Sequence, residues 1–259
     1  MLQKLCFIFL LITGVQIENL QAQTVTVSYI ANEGIVIQEV SSGIHILVDT
    51  YFDGFYPQYD FPSDSILSLI YENQPPFKGP RIALVTHQHA DHFNADLLSK
   101  DLANKNMKMV VLPEQAAALI NSALLNDNVN TVHESSAEFS LDEDINIKCY
   151  FIEHINPRFK EIANVAFLIT IFGKKILHLG DAYINEGNLQ EIENQKIDLV
   201  VLPYFVLDQN ALEILNEKFE QPKIAPIHFD KKSKSAQIEK INSIPNSIVF
   251  PGPLIPIKL

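Results

Sequence analysis

The sequence has little cysteine, and this limits what can stabilise the fold. Its 259 residues include two cysteines, and Cys6 lies in an N-terminal apolar segment that we expect to be removed. Because Cys149 would then be the one remaining thiol, an intramolecular disulfide is excluded, and stability must come from a hydrophobic core and any bound metal. Cys149 lies in a strand-like run, which is typical of a buried, unreactive thiol.

Basic residues are also scarce. The chain has 19 Lys and Arg against 31 Asp and Glu, which gives a formal net charge of −12. Proteins that bind nucleic acid present a basic surface to the phosphate backbone, so we expect a small-molecule substrate and no nucleic-acid partner. With 47% hydrophobic and 19% charged residues, the composition is that of an ordinary globular protein with a substantial core.

Long hydrophobic runs are missing except at the N-terminus. Lys4 precedes an apolar segment at residues 5–15, and a polar stretch then leads to Ala22 and Gln23. This pattern is typical of a secretory signal peptide, and the apolar run is too short to anchor the chain in a bilayer. We therefore predict a signal peptide at residues 1–23, with cleavage near residues 22–23. The protein would be exported, either to a periplasm or out of the cell, without a stable membrane anchor.

The remaining residues, 24–259, contain no internal repeat and no linker, so we predict one domain. Strand-like segments open it, and helical and strand-like segments alternate after residue 86. Among them we predict a helix at Pro113–Leu125, a strand pair at Asn128–Val132 and Glu138–Leu141, and a late strand at Ser247–Phe250. This order of segments favours an α/β fold with two sheets and with helices on the outside.

The strongest motif is Thr86-His87-Gln88-His89-Ala90-Asp91-His92, directly after a short apolar strand. His87 and His89 are two residues apart, so an extended or turning backbone points both imidazoles the same way. Asp91 and His92 follow around the bend, where they could hold a second ion. Imidazole and carboxylate groups are ligands that suit zinc, and also manganese or iron.

Three later residues also follow apolar strands, at positions where loops gather at a sheet edge and build sites. They are His154, Asp181 and His228. A carboxylate such as Asp181 can bridge two ions with its two oxygens. The other histidines of residues 24–259 are expected to be structural: His45, His133 and His178.

The His-x-His-x-Asp-His cluster, followed by a His, an Asp and a further His, resembles the metallo-β-lactamase superfamily. The resemblance covers essentially all of residues 24–259, and the spacing is most similar to the compact branch of ascorbate-phosphate-lactonase-like proteins. It implies an αββα four-layer sandwich with two metal ions, zinc or else manganese or iron. One ion would be held by His87, His89 and His154, and the second by Asp91, His92 and His228, with Asp181 between them. Asp49, which ends a strand, would support the ligands from behind.

This resemblance implies hydrolysis of a small ester, lactone or phosphodiester bond. Two cations would lower the pKa of a bound water and polarise the bond to be cleaved. Asp91 would act as the catalytic residue that orients the nucleophile and transfers its proton. Tyr183 and Tyr204 are candidate hydrogen-bond donors to an oxyanion. The loops Tyr51–Pro80 and Asn156–Asn164 are expected to select the substrate.

Three other functions remain open on the same residues. They are a mononuclear non-haem iron oxidoreductase, a β-lactam hydrolase and a non-catalytic metal-binding protein. The complete second set of ligands disfavours the first, and an intact overall set disfavours the last. One group of true β-lactamases lacks the second His of the Asp-His pair, which His92 supplies here. The sequence leaves the substrate, the metal and the oligomeric state open.

Overall fold

The computed structural model describes residues 24–133 and 136–259, and the predicted signal peptide lies outside these residues. In this part of the chain, the strands form two sheets. The first contains, in spatial order, β13 (Ile257–Lys258), β1 (Val25–Ala31), β2 (Gly34–Glu39), β3 (Ile44–Val48), β4 (Arg81–Leu84), β5 (Met107–Pro113) and β6 (Val129–Val132). The second contains β12 (Lys223–Ile227), β11 (Leu199–Pro203), β10 (Lys174–His178), β9 (Val165–Ile171), β8 (Ile145–Phe151) and β7 (Ala137–Ser140).

The two sheets pack face to face over a core of branched and aromatic side chains. Ile37 and Ile46 from the first sheet and Ile147, Phe167 and Ile169 from the second are fully buried in one cluster. These strands are rich in β-branched residues, whose side chains pack well on a pleated surface. Burial of this apolar area is the main stabilising term for the domain.

Helices cover the outer face of each sheet. Those over the first sheet are α1 (Asp64–Tyr71), α2 (Ala95–Leu102) and α3 (Glu114–Ala117), and those over the second are α4 (Glu186–Leu189) and α5 (Gln209–Lys218). The last helix, α6 (Lys234–Ile241), follows β12. The predicted αββα four-layer sandwich is therefore confirmed. None of the helices in the described ranges is long and apolar enough to cross a membrane.

The strand directions bring several loops to one edge of the sandwich. In the first sheet, β1, β3 and β4 run the same way, because β1–β2 and β2–β3 are antiparallel and β3–β4 is parallel. In the second sheet, β8, β10 and β12 also share one direction. Loops that follow parallel strands meet at the same edge of a sheet, where α/β proteins commonly build their sites.

A buried ion pair ties α2 to β4, the strand that leads into the histidine motif. Arg81 Nη2 lies 2.7 Å from Asp101 Oδ1, and its Nε donates to Asp101 Oδ2 at 3.1 Å. The Tyr51 hydroxyl donates to the same Asp101 oxygen at 2.7 Å. Both charged side chains are fully buried, and the two parallel hydrogen bonds between them are the strong, bidentate arrangement of a charged pair.

The helix predicted at Pro113–Leu125 is wrong in extent. The α-helix spans only Glu114–Ala117, and Pro113 is the last residue of β5. The Asn121 side chain accepts a hydrogen bond from the Ala123 N–H. Such a local side-chain bond competes with the helical backbone pattern and begins a short 3₁₀ turn instead.

Two strand predictions are also corrected. β6 and β7 exist but do not pair, since β6 is parallel to β5 in one sheet and β7 is antiparallel to β8 in the other. The strand expected at Ser247–Phe250 is reduced to one bridge between Ser247 and Ile224. Periodicity identifies an extended segment, but its partner depends on the arrangement of the whole sheet. Pro251 and Pro253 follow and cannot donate to a ladder.

Candidate metal centre

The histidine motif lies in the loop after β4, at the edge where the other loops meet. The His92 N–H and the Phe93 N–H both donate to the His89 carbonyl, at 3.0 and 2.9 Å, so the backbone turns back after His89. His87 Nε2 and His89 Nδ1 lie 3.0 Å apart. The extended stretch before the turn therefore points both imidazoles to the same side, as the spacing predicts.

The seven predicted ligands form two adjacent groups, and the ligand atoms of each group all lie within 4.8 Å of one another. The first group is His87, His89, His154 and Asp181, and the second is Asp91, His92 and His228. Asp181 Oδ2 lies 3.5 Å from His154 Nε2 and 4.0 Å from His87 Nε2. Asp181 Oδ1 lies 3.6 Å from His92 Nε2 and 3.8 Å from His228 Nε2. Each carboxylate oxygen of Asp181 thus faces a different group.

Asp181 is positioned by a glycine that precedes it. Gly180 has a φ of +55°, and a Cβ there would lie 2.5 Å from Asn164 Oδ1 and 2.8 Å from Thr86 Cβ. The same Asn164 oxygen accepts the Asp181 N–H at 3.1 Å. Only glycine fits this conformation and this close approach without strain. The sharp turn after β10 therefore places the carboxylate against the histidine loop.

Asp49 supports the second group from behind. It follows β3 with a φ of +45° and is fully buried. Its Oδ1 accepts the Thr86 N–H at 2.8 Å, and its Oδ2 accepts the Thr86 hydroxyl and lies 2.8 Å from His92 Nδ1. When His92 Nδ1–H donates to Asp49, His92 Nε2 is the ring nitrogen that faces the site and would bind metal after losing its proton.

The unpaired atoms of the site fit a divalent cation. His92 Nε2, His154 Nε2 and Asp181 Oδ1 are buried and have no hydrogen-bond partner in the described part of the chain. Buried polar atoms are rarely left unpaired in this way. Imidazole nitrogens and a carboxylate oxygen that converge without partners are the donor set that zinc and similar ions accept.

The electrostatics of the site differ between its histidines. Burial lowers the pKa of His87 well below its ordinary value and lowers that of His154 to about 4. Burial acts the same way on His92, but the Asp181 and Asp49 carboxylates outweigh it and raise its pKa to about 10. Burial alone would raise the pKa of Asp91, but the hydrogen bond from His228 and the nearby His92 bring it below its usual range.

The remaining histidines contribute no atom to the two groups. His45 Nε2 lies 2.7 Å from the Pro76 carbonyl oxygen, and His133 is exposed beside Glu114. His178 is buried, with its Nε2 3.1 Å from the carbonyl oxygen of Glu33. All three have structural surroundings in the described chain.

A cavity of about 550 Å³ opens above the two groups. Its walls include residues from both loops that the sequence analysis singled out: Tyr56, Gln58, Tyr59, Asn156, Pro157 and Phe159, together with Ile155 and Phe205. Tyr183 is 51% exposed and Tyr204 accepts a hydrogen bond from Gln237, and neither lines this cavity. The expectation that these two tyrosines reach the substrate is therefore not supported.

Sequence reasoning missed two residues near the site. Tyr59 lines the cavity edge-on to His228, with ring centroids 4.4 Å apart. The aromatic composition of its loop was the one available signal. Glu33, in the β1–β2 turn, is fully buried and forms a third group of ligand-type atoms with Asp181 and His228. A glutamate in a hairpin turn is usually a solvated residue, so nothing in the local pattern indicated it.

The chain matches a family model described as the beta-lactamase superfamily domain over residues 26–218, which is more than half of its length. No curated protein sequence matches it. Among solved structures, the metallo hydrolase Igni18 from Ignicoccus hospitalis is 17% identical, with a TM-score of 0.61 over 91% of this chain and 98% of that one. The metallo-beta-lactamase fold protein YhfI from Bacillus subtilis is 11% identical, with a TM-score of 0.59 over 92% and 100%. Zn²⁺-bound PqqB from Methylobacterium extorquens is 13% identical, with a TM-score of 0.51 over 87% of each chain.

These structural likenesses show the αββα fold, and the family match covers the histidine motif, His154 and Asp181, with His228 beyond its end. The resemblance stated from the sequence is confirmed at the level of family and fold. The chain belongs to the metallo-β-lactamase superfamily of metal-dependent hydrolases.

Proposed function

We propose that the chain is a hydrolase with a dinuclear metal centre, with zinc as the metal that its donor set suits best. The observation that carries the proposal is Asp181, whose two oxygens face two separate groups of histidines. The ligands of one ion would be His87, His89 and His154, those of the second would be Asp91, His92 and His228, and Asp181 would contact both. The zinc-bound state of PqqB, a protein of similar fold, agrees with this choice of metal.

Bound divalent cations would supply water activation and would neutralise charge on the reacting oxygen. Asp91 lines the cavity and is held ionised at neutral pH, so it can orient the attacking water by accepting a hydrogen bond from it. Transfer of the proton of that water to the leaving group is the second role that we propose for Asp91. Burial and the nearby Asp91 and Asp181 carboxylates raise the pKa of Tyr59. Its phenol therefore stays protonated and can donate a hydrogen bond to the oxygen that becomes negative.

The cavity walls favour an uncharged ester or lactone over a phosphorylated substrate. Four aromatic residues line it: Tyr56, Tyr59, Phe159 and Phe205. No Lys or Arg is among its lining residues in the described chain. Arg158 and Lys160 are exposed outside it, and Lys160 pairs with Glu161. A phosphate or carboxylate remote from the metals would find no cationic partner there, whereas an alkyl or aryl group would be buried against aromatic rings.

The central experiment measures bound metal by elemental mass spectrometry on residues 24–259. We expect about two zinc ions per chain in the unmodified protein and a clear loss in His89→Ala. His133→Ala is the matched control, since His133 is exposed and outside both groups, and it should keep full metal content. One iron per chain would favour the oxidoreductase alternative. No metal in the unmodified protein, even after supplementation, would overturn the proposal.

The substrate class can be tested with a panel of neutral esters, lactones, phosphodiesters and β-lactams. We expect the largest kcat/KM for esters or lactones that carry an apolar group. Phe159 is 41% exposed in the free protein, so a bound apolar group would gain only part of the roughly 1.5–3 kcal/mol of a fully buried side chain. Phe159→Ala should therefore raise KM for these compounds about tenfold, which corresponds to about 1.4 kcal/mol. It should leave small acetate esters nearly unchanged. A clear preference for phosphodiesters would contradict this reading of the cavity.

We also propose that the protein is exported after cleavage near residues 22–23, which the N-terminal sequence pattern supports. Expression of the full chain in a bacterial host should yield a periplasmic or secreted form whose mass begins at residue 23 or 24. Full-length protein retained in the cytoplasm would contradict export.

A further inference from the structure

A buried glutamate lies next to the proposed centre and lacks the partners that a buried charge requires. Glu33 is 0% exposed, and neither Oε1 nor Oε2 has a hydrogen-bond partner in the described part of the chain. His178 Nε2 lies 3.9 Å from Oε2, but this nitrogen is closer, at 3.1 Å, to the Glu33 carbonyl oxygen. A carboxylate removed from water in this way is costly unless a cation or hydrogen-bond donors compensate it.

The β1–β2 turn that carries this glutamate is fixed to the loops that carry the second group of ligands. The Asn32 carbonyl accepts the His228 N–H at 3.2 Å, and the Asn32 side chain donates to the Asp91 carbonyl at 3.2 Å. The turn is also packed closely on β3, since a Cβ on Gly34 would lie 2.7 Å from the Asp49 carbonyl oxygen. These contacts fix the position of the turn, and so of Glu33, relative to Asp91 and His228.

The ligand atoms of Glu33, Asp181 and His228 all lie within 4.8 Å of one another. Asp181 Oδ1 is, like the glutamate oxygens, without a hydrogen-bond partner in the described ranges, and His228 Nε2 lies 3.8 Å from it. Glu33 does not line the cavity, whereas Asp181 and His228 do. The glutamate therefore reaches the centre from the protein interior and leaves the cavity side free for substrate.

We propose that Glu33 is an additional carboxylate ligand of the ion held by Asp91, His92 and His228, on the side away from the cavity. This inference rests on the proposed metal centre. The second ion would be the cation that the buried Glu33 carboxylate lacks. Glu33 also adds a negative ligand to the second ion, which strengthens the binding of that ion and lowers the net positive charge of the loaded site.

The proposal can be tested with purified residues 24–259 carrying Glu33→Gln, which keeps the shape and removes the charge, and Glu33→Asp, which keeps the charge and shortens the reach. The control is Glu39→Gln, at the far end of β2, where the carboxylate accepts hydrogen bonds from Ser41 and Ser42. Zinc affinity is measured by competition with a chelating dye. The ligand sphere is followed by the visible absorption of the cobalt(II)-loaded protein.

We expect Glu33→Gln to weaken the more weakly bound zinc at least tenfold and to leave the tighter ion unchanged. Its cobalt(II) absorption band should change in position or intensity, because the number of ligands changes. The zinc affinity of Glu33→Asp should lie between those of Glu33→Gln and the unmodified protein. Glu39→Gln should match the unmodified protein in affinity and in spectrum. A glutamate that only supports the ligands from behind would lower affinity without changing the cobalt spectrum, and that result would overturn the proposal.

Thermal melting with and without metal gives a second readout. Without metal, Glu33→Gln should melt at the same temperature as the unmodified protein or higher, because the buried carboxyl group that it replaces has no hydrogen-bond partner in the described chain. With zinc, it should gain less stability than the unmodified protein. A variant that is destabilised equally in both conditions would indicate a packing role and contradict the proposal. Absence of metal from the unmodified protein would instead overturn the proposed function, so the two failures are distinguishable.

Discussion

Replacement of Asp49 by asparagine tests how the site prepares one ligand before metal binds. Asp49 Oδ2 lies 2.8 Å from His92 Nδ1, and His92 Nε2 faces Asp181 at 3.6 Å. As a carboxylate, Asp49 can only accept, so Nδ1 keeps its proton, and zinc displaces the proton on Nε2. An asparagine that presents its NH₂ group to Nδ1 would need Nδ1 as an acceptor, so the imidazole would keep its proton on Nε2, where it blocks coordination.

The magnitude follows from the contacts that change. The asparagine oxygen can keep the bond to the Thr86 N–H, and the Thr86 hydroxyl can rotate, so the principal loss is the charged bond to His92. Hydrogen bonds to charged groups contribute about 1.5–3 kcal/mol, and 1.4 kcal/mol corresponds to a tenfold change in affinity. We therefore expect Asp49→Asn to weaken the second ion about 10- to 100-fold, within the range for outer partners of metal ligands.

The assay is zinc competition with a chelating dye, together with metal counting after dialysis. The expected result is the loss of about one ion per chain, with the ion of the His87, His89 and His154 group retained. Asp53→Asn is the control, because Asp53 bonds Asn94 and Phe55 on an exposed loop. Circular dichroism at the assay temperature confirms folding. Zinc affinity equal to that of the unmodified protein would refute the tautomer argument.

Four further predictions rest on the described contacts. Because the pKa of His92 is raised to about 10 from an ordinary value of 6.5, zinc uptake at neutral pH should release its proton, and affinity should rise with pH between about 7 and 10 in competition titrations. Protonated His92 should also stabilise the metal-free protein, fully below about pH 6.5, and this contribution should be lost as pH rises through about 10. Thermal melting in EDTA across this pH range measures it. Arg81→Met should cost about 3–5 kcal/mol in denaturant unfolding, because Asp101 loses its cationic partner and keeps only the Tyr51 hydroxyl. The double variant Arg81→Met with Asp101→Leu should recover most of this loss, and equal losses in both variants would contradict the prediction. Gly180→Ala should reduce metal content by displacing the carboxylate that follows it, and full zinc binding would show that the turn can relax.

The candidate metal ligands were predictable because their types and local spacing limit the chemistry. His87 and His89 alternate along an extended backbone, which is a property of any such segment, and the structure places their ring nitrogens 3.0 Å apart. The alternation of β-branched residues also predicted most strands, since one face of each strand has to be buried. The order of these segments was enough to predict a two-sheet α/β sandwich.

Which segments meet was decided only by the tertiary structure. β6 and β7 have similar local patterns but belong to different sheets. Tyr59, rather than Tyr183 or Tyr204, lines the cavity, because the loop after β3 folds over the site. Such contacts depend on how two sheets pack, and local periodicity carries no information about them.

Glu33 and His178 show the same limit most clearly. They are 145 positions apart in the sequence, yet a ring nitrogen of one lies 3.1 Å from the carbonyl oxygen of the other. The sequence by itself determined the donor types, the spacing of the motif and the family. Burial of Glu33 without a partner, and the orientation of Asp181 toward both histidine groups, arise only when the loops of both sheets converge at one edge, because only that convergence removes these carboxylates from water and brings them together.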